Sequence, residues 1–298
     1  MMETVLRVDG AGADPTAGIV RLHWSKAIWN AIMLAGTIAA LFTVTWQAVL
    51  LFLILTYLTL LVGHSVGMHR MMIHRSFKAK PWLARTLIYI GTIVGVSGPF
   101  GIIRIHDTRD WAQREPECHD FFAHRRPFFQ DLRWNLFYRF KFRSSPKITI
   151  EPELSRDPFY RMLEGTWRLQ QLPLAIILYL WGGWAFVLWG ICARVFVSTA
   201  GHWSVTYFCH NPGPGTWDVK SAGIQASNIN GLGLLTYGEC WHNNHHAFPE
   251  SAKIGLEKGQ SDPAWWLISA FQRAGWVYDV RLPRETDQRS DLTPRAAN

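Results

Sequence analysis

Charge is scarce in this chain, and the scarcity is uneven. Charged residues make up 17% of the 298 positions, yet no Asp, Glu, Lys or Arg lies between Lys26 and Arg70, and only Arg194 interrupts the stretch from Leu169 to Trp217. Each stretch can supply two helices of about 20 residues, the length that crosses a hydrocarbon layer of about 30 Å. The repeat of the same length argues against a buried helix pair in a soluble core. Cysteine is also scarce. The four at positions 118, 192, 209 and 240 form no Cys-x-x-Cys pair, so neither a disulfide framework nor an iron–sulfur site is expected. Gly-x-Gly-x-x-Gly, His-Pro-Gly-Gly and His-Glu-x-x-His are all missing, which argues against a dinucleotide site, a fused cytochrome and zinc-hydrolase chemistry.

These runs predict an all-α integral membrane protein. Four transmembrane helices in two hairpins are expected at about 27–45, 47–68, 172–189 and 193–210, with a soft break at Gly182-Gly183. Arg21 and Lys26, Arg70 through Lys80, Arg161 and Arg168, and Lys220 flank the runs on one side, while the opposite connections carry no charge. The positive-inside rule therefore places both termini, and a helical cap formed by 70–168 and 211–282, in the cytoplasm. Segment 82–103 is apolar but reads as an interfacial helix, or one that dips and returns through Gly98-Pro99-Gly101. Residues 1–20 are polar and Gly/Ala-rich, so they are expected to be disordered and not a secretory leader, and 283–298 reads as a polar tail. The net charge of +8 sits mostly in cytoplasmic segments. It suits lipid headgroups or an anionic substrate headgroup, and no nucleic-acid partner is expected.

What the chain does have is histidine, twelve in all. In Gly238-Glu239-Cys240-Trp241-His242-Asn243-Asn244-His245-His246-Ala247-Phe248-Pro249, three imidazoles fall within five residues. A helix there would turn them to one side, and three neutral imidazoles suit iron or zinc; a merely polar, His-rich loop is the plain alternative. His64, His69 and His74 end the second run, His106 follows the interfacial helix, and His202 and His210 end the fourth run. Histidines for metal transport would be spread through the membrane depth, whereas these gather at one face. Such convergence from separate elements is what a metal centre in a helical bundle needs. The pair His69 and His74 is spaced i, i+5, about 140° apart on a continuous α-helix, so sharing a site requires the helix to end or unwind between them.

With these residues in view, the chain resembles the membrane fatty-acid desaturases of the acyl-CoA type over roughly residues 25–282. The family's first box, His-x4-His, is matched by His69 and His74, and its third, His-x-x-His-His, by His242, His245 and His246. Its further histidine after the fourth span is matched by His210, with Trp203 and Val205 in register, and Thr206 stands where the family has an Asn that contacts the metal site through water. The resemblance implies a non-haem centre of two iron ions (Fe2+/Fe3+) and O2-dependent removal of two hydrogens from a fatty acyl chain. The second box departs from the pattern. His-x-x-His-His is replaced by His106-Asp107-Thr108-Arg109-Asp110; Asp110 can ligate through its carboxylate or form a plain ion pair, whereas a guanidinium has no lone pair to offer. One metal then lacks a ligand unless His64, His119, His124 or His202 supplies it. Mixed His/carboxylate ligation, hydroxylation in place of desaturation, and a metal-depleted, non-catalytic protein all remain open.

Glu239, Asn243, Asn244, Asp107 and Thr206 are candidates to orient the imidazoles, although each could equally be a cap or turn residue. Trp111, Phe128, Phe129, Trp134 and Trp241 are candidates to line an acyl tunnel. By resemblance, Arg104 and Arg139 are candidates for a phosphate-bearing substrate headgroup. Electrons are expected from a separate ferredoxin, rubredoxin, flavoprotein or cytochrome, and the bilayer is the remaining partner.

Overall fold

A computed structural model describes residues 7–283 and 289–295. The chain is mostly helical. α1 (Trp24–Ala40) leads through a turn into α2 (Trp46–Ile73), whose first turn is capped by the Thr45 hydroxyl accepting from the Ala48 amide at 3.2 Å. α3 (Pro81–Ile93) and α4 (Pro99–Arg114) each start on a proline, which supplies a helical φ where no amide donor is needed. The cap adds α5 (Phe128–Phe137) and α6 (Pro158–Thr166). α7 (Gln171–Cys209) is followed by a long irregular segment containing α8 (His242–Ala247), and then by α9 (Pro263–Arg273).

Among the described residues, α2 and α7 are long and apolar enough to cross a membrane. α7 is not one rod. Gly183 has φ 64° and ψ −155°, a conformation essentially confined to glycine, and the chain reverses there. The reversal is fixed by Arg194, whose guanidinium donates to Gln171 Oε1 at 2.6 Å across the two arms, to the Ile93 carbonyl at 2.6 Å and to the Gly190 carbonyl at 2.7 Å. The hairpin tip therefore lies at Gly182–Gly183, where the soft break was expected, and the expected span bounds at 189 and 193 fall within the second arm. The one charge in this apolar stretch is a staple with its donors satisfied by the protein.

α3 lies back along the second half of α2. The two backbones touch where they cross, since a Cβ on Gly63 would lie 2.3 Å from the Gly91 amide nitrogen. Segment 82–103 thus goes out on α3 and returns on α4, bringing His106 back to the end of α2.

Four two-stranded antiparallel ribbons, which the all-α expectation did not include, tie the cap together. β1 (Val8–Asp9) pairs with β5 (Lys147–Ile148) and β2 (Gly18–Leu22) with β4 (Tyr138–Phe142), while β3 (Lys78–Ala79) pairs with β7 (Val277–Tyr278) and β6 (Trp217–Val219) with β8 (Leu292–Pro294). The expectation of disorder over 1–20 is corrected from residue 7 onward, and residues 1–6 lie outside the described residues. Ile19, Val20 and Leu22 give this pentamer a short strand signal that the polar residues before it obscure; its partner lies more than a hundred positions away, with Val20 opposite Phe140. Likewise 289–295 of the expected polar tail is ordered through β8, while 284–288 and 296–298 lie outside the described residues.

Two buried arginines fix the helices that carry the site. Arg70, 1% exposed, pairs with Asp262 at 2.8 Å and donates to the carbonyls of Ala252 (2.7 Å) and Tyr237 (3.2 Å), binding the end of α2 to the segment around α8. Arg7 donates to the carbonyls of Met72 (2.9 Å) and Ile73 (2.8 Å) and pairs with Asp107 (3.3 Å) and Glu151 (2.8 Å), so the N-terminal segment holds α2 against α4. An unpaired charge in either place would be costly, so each arginine also specifies the arrangement around it.

Candidate metal centre

The second half of α2, Thr59–Ile73, is wound as a π-helix. Its backbone bonds run i to i+5, as in His74 N–H to His69 C=O at 3.0 Å, and the wider turn sets these two residues one above the other. This resolves the i, i+5 spacing without ending the helix between them. The two Nε2 atoms are 3.1 Å apart, and His74 Nε2 is 3.2 Å from His106 Nε2. Two nitrogens about 2.1 Å from one ion and at right angles stand roughly 3.0 Å apart, so these separations fit ligands of one metal.

His245 completes this first group. The ligand atoms of His69, His74, His106 and His245 all lie within 4.8 Å of one another, and so do those of a second group, His210, His242 and His246. The His242–His246 cluster therefore serves two sites. Residues i and i+4 on a helix stand about 40° apart, whereas i+3 is turned about 100° from i+4. One turn of α8 thus sends His242 and His246 to one group and His245 to the other, not all three to one side. The His242 and His245 ring centres are 5.5 Å apart, so the groups are neighbours.

The Nδ1 atoms set the direction of the rings. His69 Nδ1 is 2.7 Å from Glu239 Oε2, and His106 Nδ1 is 3.0 Å from Asp107 Oδ1. His210 Nδ1 lies 2.7 Å from the Thr206 carbonyl, and its Nε2 is buried without a partner. A partner on Nδ1 leaves the Nε2 lone pair for a metal. Burial, followed by neighbouring imidazoles, pushes His74, His106, His242 and His245 well below the usual imidazole range; His246 is lowered by burial, His210 and Arg114. They are neutral at neutral pH, the state that ligates. Burial raises the Asp107 carboxyl to about 6, even though Arg7 opposes the shift. Burial also acts to raise Glu239, but His69, Arg70 and Ser65 overcome it and hold this carboxylate well below its usual range.

The remaining expected residues fall elsewhere. Asp110 joins neither group and pairs with Arg114 Nε at 3.2 Å, one helical turn on. His64 and His202 pack on each other at 4.6 Å between ring centres, outside both groups. His119 caps the turn Asp120–Ala123, its Nδ1 accepting from the Phe121 amide at 3.1 Å, with its ring against Phe140. Arg109 donates to the Thr206 hydroxyl at 3.1 Å, so that hydroxyl faces a guanidinium. Asn243 orients backbone and not imidazole: it accepts from the amides of Thr216 and Trp217 and donates to the carbonyls of Trp217 and Ala226. Asn244 likewise donates to Ile254 C=O and Gln260 Oε1. Both asparagines anchor α8. Of the residues expected to line a tunnel, Phe129 is 80% exposed, and Trp241 donates to the Ser261 carbonyl at 2.8 Å.

Arg104 is exposed on α4, two residues from His106 and so on the opposite face. It borders a groove of about 540 Å³ lined also by Phe100, Ile150, Ser155, Arg161 and Glu164. Arg139 lies across β2–β4 from Arg21, on a different element from the metal groups. Arg7 and Arg70 were not anticipated, because nothing local to either residue names its distant partners.

Residues 44–281 match the family model for fatty acid desaturase. The chain belongs to the fatty acid desaturase family. Curated relatives include an sn-2 palmitoyl-lipid 9-desaturase of Nostoc sp. (strain 36), 29% identical over 91% of this chain and 94% of its own length. An sn-1 stearoyl-lipid 9-desaturase of Anabaena variabilis is 32% identical over 80% and 85%, and an acyl-CoA 5-desaturase of Anemone leveillei is 29% identical over 91% and 84%. As a fatty acid desaturase the protein is an oxidoreductase, and its two histidine groups fit the metal centre such an enzyme needs.

Proposed function

We propose that this desaturase holds two iron ions and removes two hydrogens from a methylene pair of a fatty acyl chain, with O2 as co-substrate. The observation that carries the reading is the pair of adjacent histidine groups, four imidazoles in one and three in the other. Iron bound there supplies the activation of O2 and the oxidising power to break an unactivated C–H bond. The chain's own residues do the rest. His69, His74, His106 and His245 hold one ion, and His210, His242 and His246 hold the other. Glu239 and Asp107 keep the protons of His69 and His106 on Nδ1. Burial of the imidazoles excludes water from the reacting acyl chain. The desaturase activities named for the relatives support desaturation over hydroxylation, and two formed histidine groups argue against a metal-depleted protein.

In this reading the protein crosses the bilayer four times, on α1, α2 and the two arms of α7. Ile28, Ile32, Leu50, Leu53, Ile176 and Leu180 are all at least 47% exposed on these elements, as lipid-facing side chains should be. Trp46, Trp181 and Trp184 stand exposed at the hairpin tips, where amphipathic rings anchor a membrane surface. The basic flanks put both termini, the cap and the metal groups on the cytoplasmic side. Arg104 and Arg161 in the groove are placed for a phosphate-bearing headgroup, and Arg139 is a secondary candidate. Electrons come from a separate ferredoxin, rubredoxin, flavoprotein or cytochrome, since the sequence carries no motif for a redox cofactor of its own.

Expression in a host without unsaturated fatty acids, with a working donor, tests the reading by lipid analysis. New double bonds that require air, together with about two irons per chain in purified protein, are expected. Lipids identical to those made by His245→Ala would overturn it. Because the relatives differ in double-bond position and acyl carrier, the same analysis reads both.

A further inference from the structure

Arg109 leaves the second histidine group one imidazole poorer than the first, and the structure offers a replacement. His124 follows the short helix Asp120–Ala123 in a left-handed conformation, φ 53° and ψ 29°, that few non-glycine residues adopt. Its backbone is tied to the second group, because its carbonyl accepts from Asn211 Nδ2 at 3.2 Å and Asn211 adjoins His210. Its ring is 2% exposed, and Nδ1 lies 2.9 Å from Asp131 Oδ1. That oxygen is itself fixed by Trp203 Nε1 at 2.6 Å and Asn135 Nδ2 at 2.8 Å. His124 Nε2 is buried with no hydrogen-bond partner, as is His210 Nε2.

This is how the ligands themselves are held. Glu239 stands behind His69, Asp107 behind His106 and the Thr206 carbonyl behind His210, and Asp131 stands behind His124 in the same way. The ring centres of His124 and His210 are 5.8 Å apart. Imidazoles sharing one ion at a metal–nitrogen distance of about 2.1 Å have ring centres roughly 4.5–6.5 Å apart, depending on the angle between them. His64 and His202 pair with each other and belong to neither group, and His119 packs on Phe140 with its Nδ1 engaged by the Phe121 amide.

We propose that His124 is the fourth protein ligand of the second metal, replacing the imidazole that Arg109 displaces, with Asp131 fixing its orientation. The proposal rests on the two-metal reading above. His124 lies outside the 4.8 Å grouping of His210, His242 and His246, so ligation requires its ring to move toward His210.

The test uses detergent-purified full-length protein loaded with iron or with Co(II). Wild type should bind two metals per chain, His124→Ala about one, and His119→Ala two. His124→Cys loaded with Co(II) should gain a thiolate-to-cobalt charge-transfer band that wild type lacks, a gain of signal that a purely structural residue cannot give. Two metals in His124→Ala, or two cobalts without a new band in His124→Cys, would overturn the assignment of His124 alone. One metal in wild type would overturn the two-metal reading together with it.

Discussion

The two histidine groups share one turn of helix but are supported differently. In the first, the partners of His69 and His106 are the carboxylates of Glu239 and Asp107, which are tied to Arg70 and Arg7. In the second, His210 leans on a backbone carbonyl that no side-chain substitution removes. The first group is thus a charge network coupled to distant segments and open to tuning by substitution. The second is anchored by the helix itself and depends on Asn243 and Asn244, which hold α8 in place. For His69, His106 and His210, the difference teaches that the orienting group at Nδ1 can be a carboxylate or a main-chain oxygen.

Substituting ligands breaks the comparison most completely. His245→Ala and His242→Ala each remove one imidazole from opposite groups, and both are expected to abolish double-bond formation in the lipid assay. Iron content should fall by about one per chain in each, at spectroscopically distinct sites. Glu239→Gln keeps the shape but removes the charge behind His69, and is expected to weaken iron retention against a chelator by about 10–100-fold. Thr206→Val leaves the carbonyl that serves His210 and should weaken retention far less. A second group as sensitive to Thr206→Val as the first is to Glu239→Gln would contradict the distinction.

Acid should act on both groups together. The buried histidines are held below their ordinary value of 6.5, so the unfolded chain takes up protons before the folded one does. Stability of the metal-free protein and retention of metal should therefore both fall as pH drops from about 7.5 to about 5.5, seen by thermal melts and by iron per chain after gel filtration. Retention that is flat over that window would contradict the neutral-imidazole picture. The smallest effect belongs to Asp110→Ala, which breaks the pair with Arg114 but should leave both metals in place.

Much of the site is legible in the sequence because ligand identity is local. His69 and His74, His106, His210 and the His242 cluster stand out by spacing and by their place at the ends of apolar runs. How they are shared is not legible. The division of α8 between two groups depends on which side of the helix each neighbour occupies, and the i, i+5 pair converges only because α2 winds as a π-helix, for which the sequence carries no plain signal. Asp110 shows the converse error, since a chemically able ligand in the expected box is turned away into an ion pair. Arg7 and β2 show another, because a polar N-terminal segment looks orderless until its partners at Met72, Ile73 and Phe140 are in place.

By itself the sequence determined the class of protein, the family and the chemistry of the donors, because hydropathy over about 20 residues and the identity of an imidazole do not depend on the rest of the chain. Tertiary structure alone decided which imidazoles gather into each group, and that His124 stands beside His210 with its Nε2 unpartnered. Those are matters of distance and direction between segments far apart in sequence, settled by backbone contact at Gly63 and Gly91 and by the buried charges of Arg7, Arg70 and Arg194.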